Sequence, residues 1–387
     1  MLTSPRNRVA GATGSPVPVR FLDLSVQDED ERAEILQAVA TVLDHGRIVL
    51  GPEVFEFERR VAALCGRRHA VGVGSGTDAL IVGLKALNIG PGDEVITTPL
   101  SWLATGSAIL LNGATPVFAD IDETLNLDPA TIEPLITAKT KAVLPVHFTG
   151  RLAPMPEIVA IARRNGLLVV EDGAQAFGAT LNGVPCGGFG DIVCISLNPM
   201  KILGAIGDAG VILTDDPDMA KRLDMLRHTG VIDRDYCLEI SHNCRLDTVQ
   251  AAVLLKRLAR YPANIERRRE IAARYGRELS DIVATPPAAP GYEDAIYTYT
   301  IRTPRRDALR DHLAELGIET RIQHPLTMND QAAYKGKFRG SSPRAHRLVK
   351  EILCIPAHEK LTGAQQDFVI ASIRSFFAGG SAGSGGG

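Results

Sequence analysis

Residues 166–172, Gly-Leu-Leu-Val-Val-Glu-Asp, form an apolar run that stops on two acidic residues. Short, nearly unbroken apolar runs of this kind are typical of strands that are buried on both faces of a parallel sheet. Similar runs recur along the chain with helical patterns between them, which predicts an α/β fold with a mostly parallel sheet. Because such sheets bind ligands beyond the carboxyl ends of their strands, Asp172 stands where a site is expected.

The alternation of strands and helices extends over the first two thirds of the chain. Strands are predicted at 69–73, 94–97, 116–119, 142–146, 167–171, 192–196 and 210–214, and helices at 53–64, 77–87 and 103–111, among others. The Gly-rich stretch 74–77, Asp172 and Ser196 each come at the end of a predicted strand. We therefore expect these residues at one edge of the sheet.

The pattern changes after Pro262. A charged helix at 264–279 is followed by a Pro-rich stretch, a strand near 297–302, a helix at 306–316 and a short strand near 320–322. This predicts a large domain over 20–262 and a smaller α+β domain over 263–378 that closes over it, with the helix as hinge. Residues 1–19 and 379–387, rich in Gly, Ser or Pro, are predicted to be flexible ends.

Composition excludes several classes of function. The net charge of −3 argues against a general nucleic-acid surface. No apolar stretch approaches the length of a membrane span, so no membrane partner is expected. The six cysteines are scattered without a C-x-x-C pair, which predicts reduced thiols in a cytoplasmic protein and no metal site.

Lys201 lies some thirty residues after the acidic strand end, in Ser196-Leu-Asn-Pro-Met-Lys-Ile-Leu-Gly204. A carboxylate at a strand end, followed by Ser-x-x-x-x-Lys, favours a pyridoxal phosphate (PLP) site. The lysine amine would hold the cofactor as a Schiff base and move protons, while Asp172 would keep the pyridinium nitrogen protonated. Taken alone, Lys201 is more simply a surface charge and Asp172 a helix N-cap.

The segment Gly72-Val-Gly-Ser-Gly-Thr-Asp-Ala-Leu80 leads from a strand into a helix. Gly76 and Thr77 would offer backbone N–H groups and a hydroxyl to the cofactor phosphate at the positive end of that helix. Ser196 would be a second phosphate donor. The spacing is G-x-G-x-G and does not match the G-x-G-x-x-G of a dinucleotide site. Taken alone, the Gly-rich stretch could equally form a simple turn.

Other candidates keep two interpretations each. Trp102 either stacks on the cofactor ring or packs in the core. Gln175 either bonds the ring hydroxyl or is a solvated residue at a helix start. Asn243 lies in a polar loop, where capping is the simpler role, and His147 and His324 are more typical of structural histidines.

The motifs together resemble the DegT/DnrJ/StrS family of PLP-dependent sugar aminotransferases over roughly residues 21–378. The resemblance rests on Gly46–Glu53, Gly74–Leu80, Pro99–Thr105, Gly113–Asp122, Glu171–Ala179, Gly190-Asp191, Ser196–Lys201, Gly207–Gly210 and Asn243–Ala252. It implies the fold-type I aspartate-aminotransferase architecture and a homodimer with shared active sites.

The resemblance also implies the site residues. Lys201 and Asp172 would be catalytic, and the cofactor-binding set would be Gly76, Thr77, Trp102, Asp172, Gln175, Ser196, Lys201 and Asn243. In this set Asn243 would reach the phosphate of the neighbouring subunit's cofactor.

The activity implied is transfer of an amino group from glutamate or glutamine to a keto-sugar carried on a nucleotide. Two segments, 196–201 and Gln323–Asn329, depart from the commoner family forms where substrate selection is expected. Alternatives left open are a keto-cyclitol or other cyclic ketone as acceptor, a PLP-dependent sugar dehydratase, and a non-catalytic regulatory protein. Because family members that dehydrate carry histidine in place of Lys201, the lysine favours transamination.

Overall fold

The computed structural model describes residues 18–233 and 235–379. In these ranges ten α-helices are found: α1 (Glu29–His45), α2 (Pro52–Leu64), α3 (Gly76–Ala86), α4 (Ala104–Leu111), α5 (Met155–Arg164), α6 (Pro217–Arg227), α7 (Thr248–Leu279), α8 (Arg306–Glu315), α9 (Pro343–Leu348) and α10 (Gly363–Gly379). Short 3-10 helices occupy Pro129–Thr131, Glu133–Leu135, Phe148–Gly150, Met328–Asp330 and Ala332–Tyr334.

The same ranges hold fifteen strands: β1 (His69–Val73), β2 (Glu94–Thr97), β3 (Thr115–Phe118), β4 (Thr140–Leu144), β5 (Leu168–Asp172), β6 (Thr180–Leu181), β7 (Val184–Pro185), β8 (Ile192–Ser196), β9 (Gly210–Thr214), β10 (Val231–Asp233), β11 (Tyr236–Cys237), β12 (Tyr292–Glu293), β13 (Tyr299–Arg302), β14 (Arg339–Gly340) and β15 (Ile352–Ile355). The seven strands predicted for the first two thirds of the chain are all present within two residues of their predicted bounds.

An eight-stranded sheet organises the molecule, in the order β1-β9-β8-β5-β4-β2-β3-β14. The neighbours from β8 to β14 are parallel, and β9 and β1 close one edge in antiparallel pairing. The prediction of a mostly parallel α/β sheet is therefore confirmed.

Strand β8 is almost entirely apolar because both of its faces are covered. Val193 and Ile195 pack in the cluster that contains α2 and α7, whereas Ile192 and Cys194 pack in the cluster that contains α3 and α6. Successive side chains of a strand point to opposite faces, so both faces must be apolar when both are covered.

Helix α7 joins two hydrophobic cores. The sequence predicts a helix over 264–279, but the structure has one helix of 32 residues that runs through Pro262. Proline in a helix interior removes a backbone hydrogen bond. Burial on both sides of it outweighs this loss, because Leu258 packs on the sheet and Ile271 and Tyr275 pack in the C-terminal core. The predicted domain boundary at residue 262 thus falls inside a helix.

The C-terminal region contains the small antiparallel sheet of β13 and β15, with α8 and α10 packed in the same apolar cluster. The predicted short strand near 320–322 is wrong, since the structure forms only a single bridge between Arg321 and Cys354 there. The strand predicted near 297–302 begins only at Tyr299.

One part of the C-terminal region packs on the large sheet. Strand β14 pairs with β3, and Met328 and Tyr334 pack against Phe118. The division into domains 20–262 and 263–378 stays a prediction.

The predicted flexible ends lie mostly outside the described residues, which exclude 1–17 and 380–387. Val19, which was included in the flexible N-terminus, is only 2% exposed. It pairs with Ile318 and packs in the C-terminal core, because its apolar side chain finds a buried place there. Among the helices in the described part of the chain, none combines the length and the apolar character that a membrane-spanning helix requires.

Candidate active site

A cavity of about 390 Å³ lies where β5 and β8 end and α3 begins. Its wall brings together seven of the eight residues predicted to bind the cofactor: Gly76, Thr77, Trp102, Asp172, Gln175, Ser196 and Lys201. Asn243 is not among the residues that line it. The strand ends predicted to converge therefore do so in the structure.

The first turn of α3 forms one end of the cavity. Ser75 caps the helix: its Oγ accepts a hydrogen bond from the Asp78 backbone N–H at 3.0 Å and donates to Asp78 Oδ2 at 2.8 Å. The first backbone N–H groups of a helix have no partner within it and point toward its positive end. A Cβ added at Gly76 would lie 2.5 Å from Ser196 Cβ. Glycine is therefore required for Ser196 to approach these N–H groups.

Asp172 lies at the carboxyl end of β5 and is only 3% exposed. Its Oδ2 accepts a hydrogen bond from Thr105 Oγ1 at 2.8 Å, and its Oδ1 accepts from the Ala174 backbone N–H at 3.2 Å. Burial raises the pKa of Asp172, although the Thr105 hydrogen bond and the charge of Lys201 oppose this rise. A cation held against this carboxylate would offset the cost of its burial.

The neighbouring acid, Glu171, has a different task. It is fully buried, its Oε2 lies 3.0 Å from His147 Nε2, and its Oε1 accepts backbone N–H bonds from Phe189 and Gly190. Burial works to raise the pKa of Glu171, but the hydrogen bond from His147 and those backbone bonds hold it below its ordinary range.

His147 has the structural role that the sequence favours. Its Nδ1 accepts the Ala153 backbone N–H at 3.1 Å, so the ring proton sits on Nε2 and is donated to Glu171.

Lys201 lies in the loop after β8, with its backbone N–H bonded to Asn198 O at 2.8 Å. Its Nζ stands 4.2 Å from the centre of the Tyr297 ring, in the geometry of a cation–π contact. Tyr297 comes from the segment before β13, almost a hundred residues away in sequence, and no local pattern marks it as a site residue. Thr105 was also missed, although it ends the quoted motif Pro99–Thr105.

Two open questions from the sequence are settled by burial. Trp102 is 63% exposed at the cavity, so the core-packing interpretation is wrong. Gln175 is 4% exposed and lies in a turn, so it is not a solvated residue at a helix start. Its Oε1 accepts the Thr149 backbone N–H at 2.9 Å, which leaves the amide NH₂ for a second partner.

Asn243 is exposed and lies in an extended segment, where its backbone forms an isolated antiparallel β-bridge with His228. Its predicted contact with a neighbouring subunit stays a prediction.

His324 is buried against Phe148, with ring centres 5.4 Å apart, and its Nε2 has no hydrogen-bond partner in the described chain. Burial, helped by the charge of Lys201, lowers the pKa of His324 to about 4 and keeps the ring neutral.

The outer wall of the cavity includes Phe21 from near the start of the described residues, and Arg268 and Arg321 from the last third of the chain. Arg268 is paired with Glu359, with an Nη2–Oε2 distance of 2.7 Å. Arg321 is exposed, its guanidinium lies 5.5 Å from the Phe21 ring centre, and it forms no ion pair within residues 18–233 and 235–379.

These residues fit PLP. The cavity supplies a site for an anion at the start of α3, a buried carboxylate with a raised pKa, and an amine held beside an aromatic ring. The steric need for Gly76 beside Ser196 marks the anion site as a close-fitting cradle.

Comparisons with known proteins agree with this geometry. A sequence model of the DegT/DnrJ/EryC1/StrS aminotransferase family matches residues 29–374. The chain is 41% identical over 363 residues, 92% of its length and 96% of the relative's, to dTDP-3-amino-3,4,6-trideoxy-α-D-glucose transaminase of Streptomyces venezuelae. It is 40% identical over 366 residues, covering 93% of this chain and 98% of the relative, to the pleiotropic regulatory protein of Geobacillus stearothermophilus.

Among solved structures, the crystal structure of S. venezuelae DesV in complex with a ketimine intermediate superposes with a TM-score of 0.90 at 41% identity, covering 93% of this chain and 98% of that one. The family match includes every cavity residue named above except Phe21.

Proposed function

The chain belongs to the DegT/DnrJ/EryC1/StrS family of PLP-dependent aminotransferases, and we propose that it moves an amino group from glutamate or glutamine to a nucleotide-linked keto-sugar. The observation that carries the proposal is the convergence of Lys201, Asp172 and the start of α3 on one cavity. A protein without chemistry to perform has no physical need for this combination.

Each residue of the cavity has a role in this proposal. PLP, when bound, supplies an electron-withdrawing ring that eases proton loss at the carbon bearing the amine. Lys201 would hold the cofactor through its amine and, once released, would take up and return the proton at the substrate carbon that bears the amine. Asp172 keeps the ring nitrogen protonated, and Thr105 keeps Asp172 ionised.

The remaining residues position the cofactor. The backbone N–H groups of Gly76 and Thr77 and the Ser196 hydroxyl hold the phosphate. The Trp102 indole would lie against the ring face, and the Gln175 amide would donate to the ring hydroxyl. Asn243 would reach the phosphate of the cofactor bound by the neighbouring subunit.

Tyr297 adds a positioning role that the sequence does not predict. Its ring, 4.2 Å from Lys201 Nζ, fixes the amine within the cavity while the lysine is not bonded to the cofactor.

We assign the exposed guanidinium of Arg321 to the diphosphate of the acceptor. It stands in the cavity wall without a carboxylate partner in the described chain, and guanidinium groups bind phosphate oxygens in bidentate geometry. The relative at 41% identity is named as the transaminase of a dTDP-linked 3-amino sugar, which favours a 3-keto sugar as acceptor here.

A homodimer that works in the cytoplasm is part of the proposal. The β10–β11 hairpin exposes Ile232, Tyr236 and Leu238, and Ile240 beside it is 87% exposed. An apolar surface of this kind is typical of a protein–protein interface. Five of the six cysteines are buried free thiols, which agrees with a reducing compartment.

One observation favours a second function, since a relative at 40% identity is named as a regulatory protein. The two functions predict different spectra. For the aminotransferase, glutamate or glutamine converts the visible absorption of the bound cofactor into that of the pyridoxamine form, and addition of the keto-sugar reverses the change. Folded protein that takes up no PLP would favour the regulatory function, and a panel of keto-cyclitols beside nucleotide sugars would identify the acceptor.

A further inference from the structure

Three potential metal ligands meet beside the first turn of α3. One ligand atom from each of Asp78, His242 and Cys244 lies within 4.8 Å of the other two. Asp78 Oδ1 and His242 Nε2 are 2.9 Å apart. The three residues are not part of the cavity wall and have no role in the proposed reaction.

The fold explains how residues so far apart in sequence meet. The segment 242–246 runs beside the edge strand β1, where the Gly74 backbone N–H donates to Cys244 O at 2.7 Å. Alternate residues of an extended segment share one face, so His242 and Cys244 point to the same side and Asn243 to the other. Strand β1 ends at Val73 and the chain turns into α3, which brings Asp78 to the same place.

We propose that Asp78, His242 and Cys244 form a binding site for Zn²⁺. Imidazole nitrogen, thiolate sulfur and carboxylate oxygen are the ligands that Zn²⁺ takes in proteins, and three of them leave a fourth position for water. Binding replaces the thiol proton of Cys244, which is released to solvent. The sequence predicts no metal site, because its cysteines form no C-x-x-C pair and only the fold joins position 78 to 242–244.

The two oxygens of Asp78 divide their tasks in a way that suits this role. Oδ2 accepts the Ser75 hydroxyl that caps α3, whereas Oδ1 faces His242. A metal on Oδ1 therefore leaves the helix cap intact.

The buried thiol distinguishes this site from an ordinary surface pair. His346 and Asp330 also approach within 3.1 Å, but they are not part of a three-ligand group in the described chain. Cys244 is 5% exposed, and its sulfur makes no hydrogen bond within residues 18–233 and 235–379. Cys244 packs in the apolar cluster that contains Val73 and Ala79, and its sulfur adds a third potential ligand atom beside the histidine and the carboxylate.

The test is zinc binding by the full chain with its cofactor, first freed of metal by a chelator. Zinc content after equilibrium dialysis and the dissociation constant from a competing zinc indicator are measured for the wild type, H242Q and C244S. His242 is 46% exposed at its side chain, so H242Q is expected to fold even if C244S does not. The matched controls are C237S, which removes an exposed thiol, and H346Q, which breaks the other histidine–aspartate pair.

We expect one zinc ion per wild-type chain, and affinity reduced roughly tenfold or more in H242Q and C244S, because loss of even an outer partner of a metal ligand costs about 10-fold to 100-fold. Both controls should bind zinc like the wild type. Absence of stoichiometric zinc in the wild type, or wild-type affinity in H242Q, would overturn the proposal. The test is read from zinc binding alone, whereas the proposed aminotransferase function is read from the cofactor spectrum, so failure of one proposal is distinguishable from failure of the other.

Discussion

Thr105→Val tests how the chain keeps Asp172 ionised. The Thr105 hydroxyl donates to Asp172 Oδ2 at 2.8 Å, and both residues are buried. Valine keeps the shape of threonine but cannot donate. A hydrogen bond to a charged group contributes about 1.5–3 kcal/mol. A free-energy difference of about 1.4 kcal/mol between two protonation states changes the acid dissociation constant by a factor of ten. The acid dissociation constant of Asp172 should therefore fall about 10-fold to 100-fold.

The sign of the effect follows from the ionised form. The Thr105 bond lowers the pKa of Asp172 against the rise caused by burial, so its loss raises that pKa further. Catalysis needs the carboxylate, and the acid limb of kcat/KM should move to higher pH. At pH values where Asp172 is largely protonated in both proteins, the variant should be about 10-fold to 100-fold slower than the wild type, which is the change in the acid dissociation constant. At high pH, where Asp172 is ionised in both, the rates should converge.

The assay is the half-reaction with glutamate, followed by the absorbance of the bound cofactor as a function of pH. Ser107→Ala is the control, because it removes a hydroxyl from the same helix that bonds Tyr334 instead of Asp172. A Thr105→Val profile that is lowered equally at every pH would indicate misplacement of the site and would refute the electrostatic argument. An unchanged profile would refute it as well.

Three further substitutions test other parts of the site. Lys201→Ala should abolish turnover, because no other amine is assigned to hold the cofactor and move the proton; repeated turnover measured with glutamate and an acceptor would contradict this. Gly76→Ala should weaken PLP binding, measured by fluorescence titration, because the new Cβ would lie 2.5 Å from Ser196 Cβ. Gly363→Ala is the control: a Cβ there meets no atom within 4 Å, so this variant should bind PLP like the wild type. Arg321→Ala should raise KM for a nucleotide-linked acceptor by about 10-fold, as expected for one charge-assisted contact, and leave the glutamate half-reaction unchanged; an equal loss in both half-reactions would argue against the diphosphate assignment.

Short apolar runs in the sequence were sufficient to predict the central strands, because a short strand buried on both faces is apolar along its whole length. The same patterns do not contain the pairing partners, so the antiparallel edge of β9 and β1 and the addition of β14 were not predicted. The continuous helix through Pro262 was missed for a related reason. Local propensity favours a break at proline, whereas burial of Leu258 on one side and Ile271 on the other favours continuity.

The candidate site shows the same division. Residues within a few positions of a strand end, such as Asp172 and Ser196, were predicted because the sheet gathers strand ends at one edge. Tyr297 and Arg321 reach the cavity from the C-terminal region, and nothing in their immediate sequence distinguishes them from other aromatic or basic residues. Trp102 shows that residue type can mislead, because tryptophan usually packs in a core and here is 63% exposed.

Glu171 and Asp172 are adjacent acids on β5 with different surroundings. The sequence shows two acids at a strand end and predicts that Asp172 serves the cofactor, but it does not show what separates that acid from Glu171. Alternation along β5 sends their side chains to opposite faces. On one face, His147 and the backbone of Phe189 and Gly190 hold the pKa of Glu171 low, so that acid is a satisfied anion without need of a ligand. On the other face, burial raises the pKa of Asp172, and the protonated ring nitrogen of the proposed cofactor would offset the cost of that burial. Two adjacent acids thus have opposite shifts in pKa because their surroundings differ in hydrogen-bond donors, and that difference is the physical reason for proposing Asp172 as the acid that serves the cofactor.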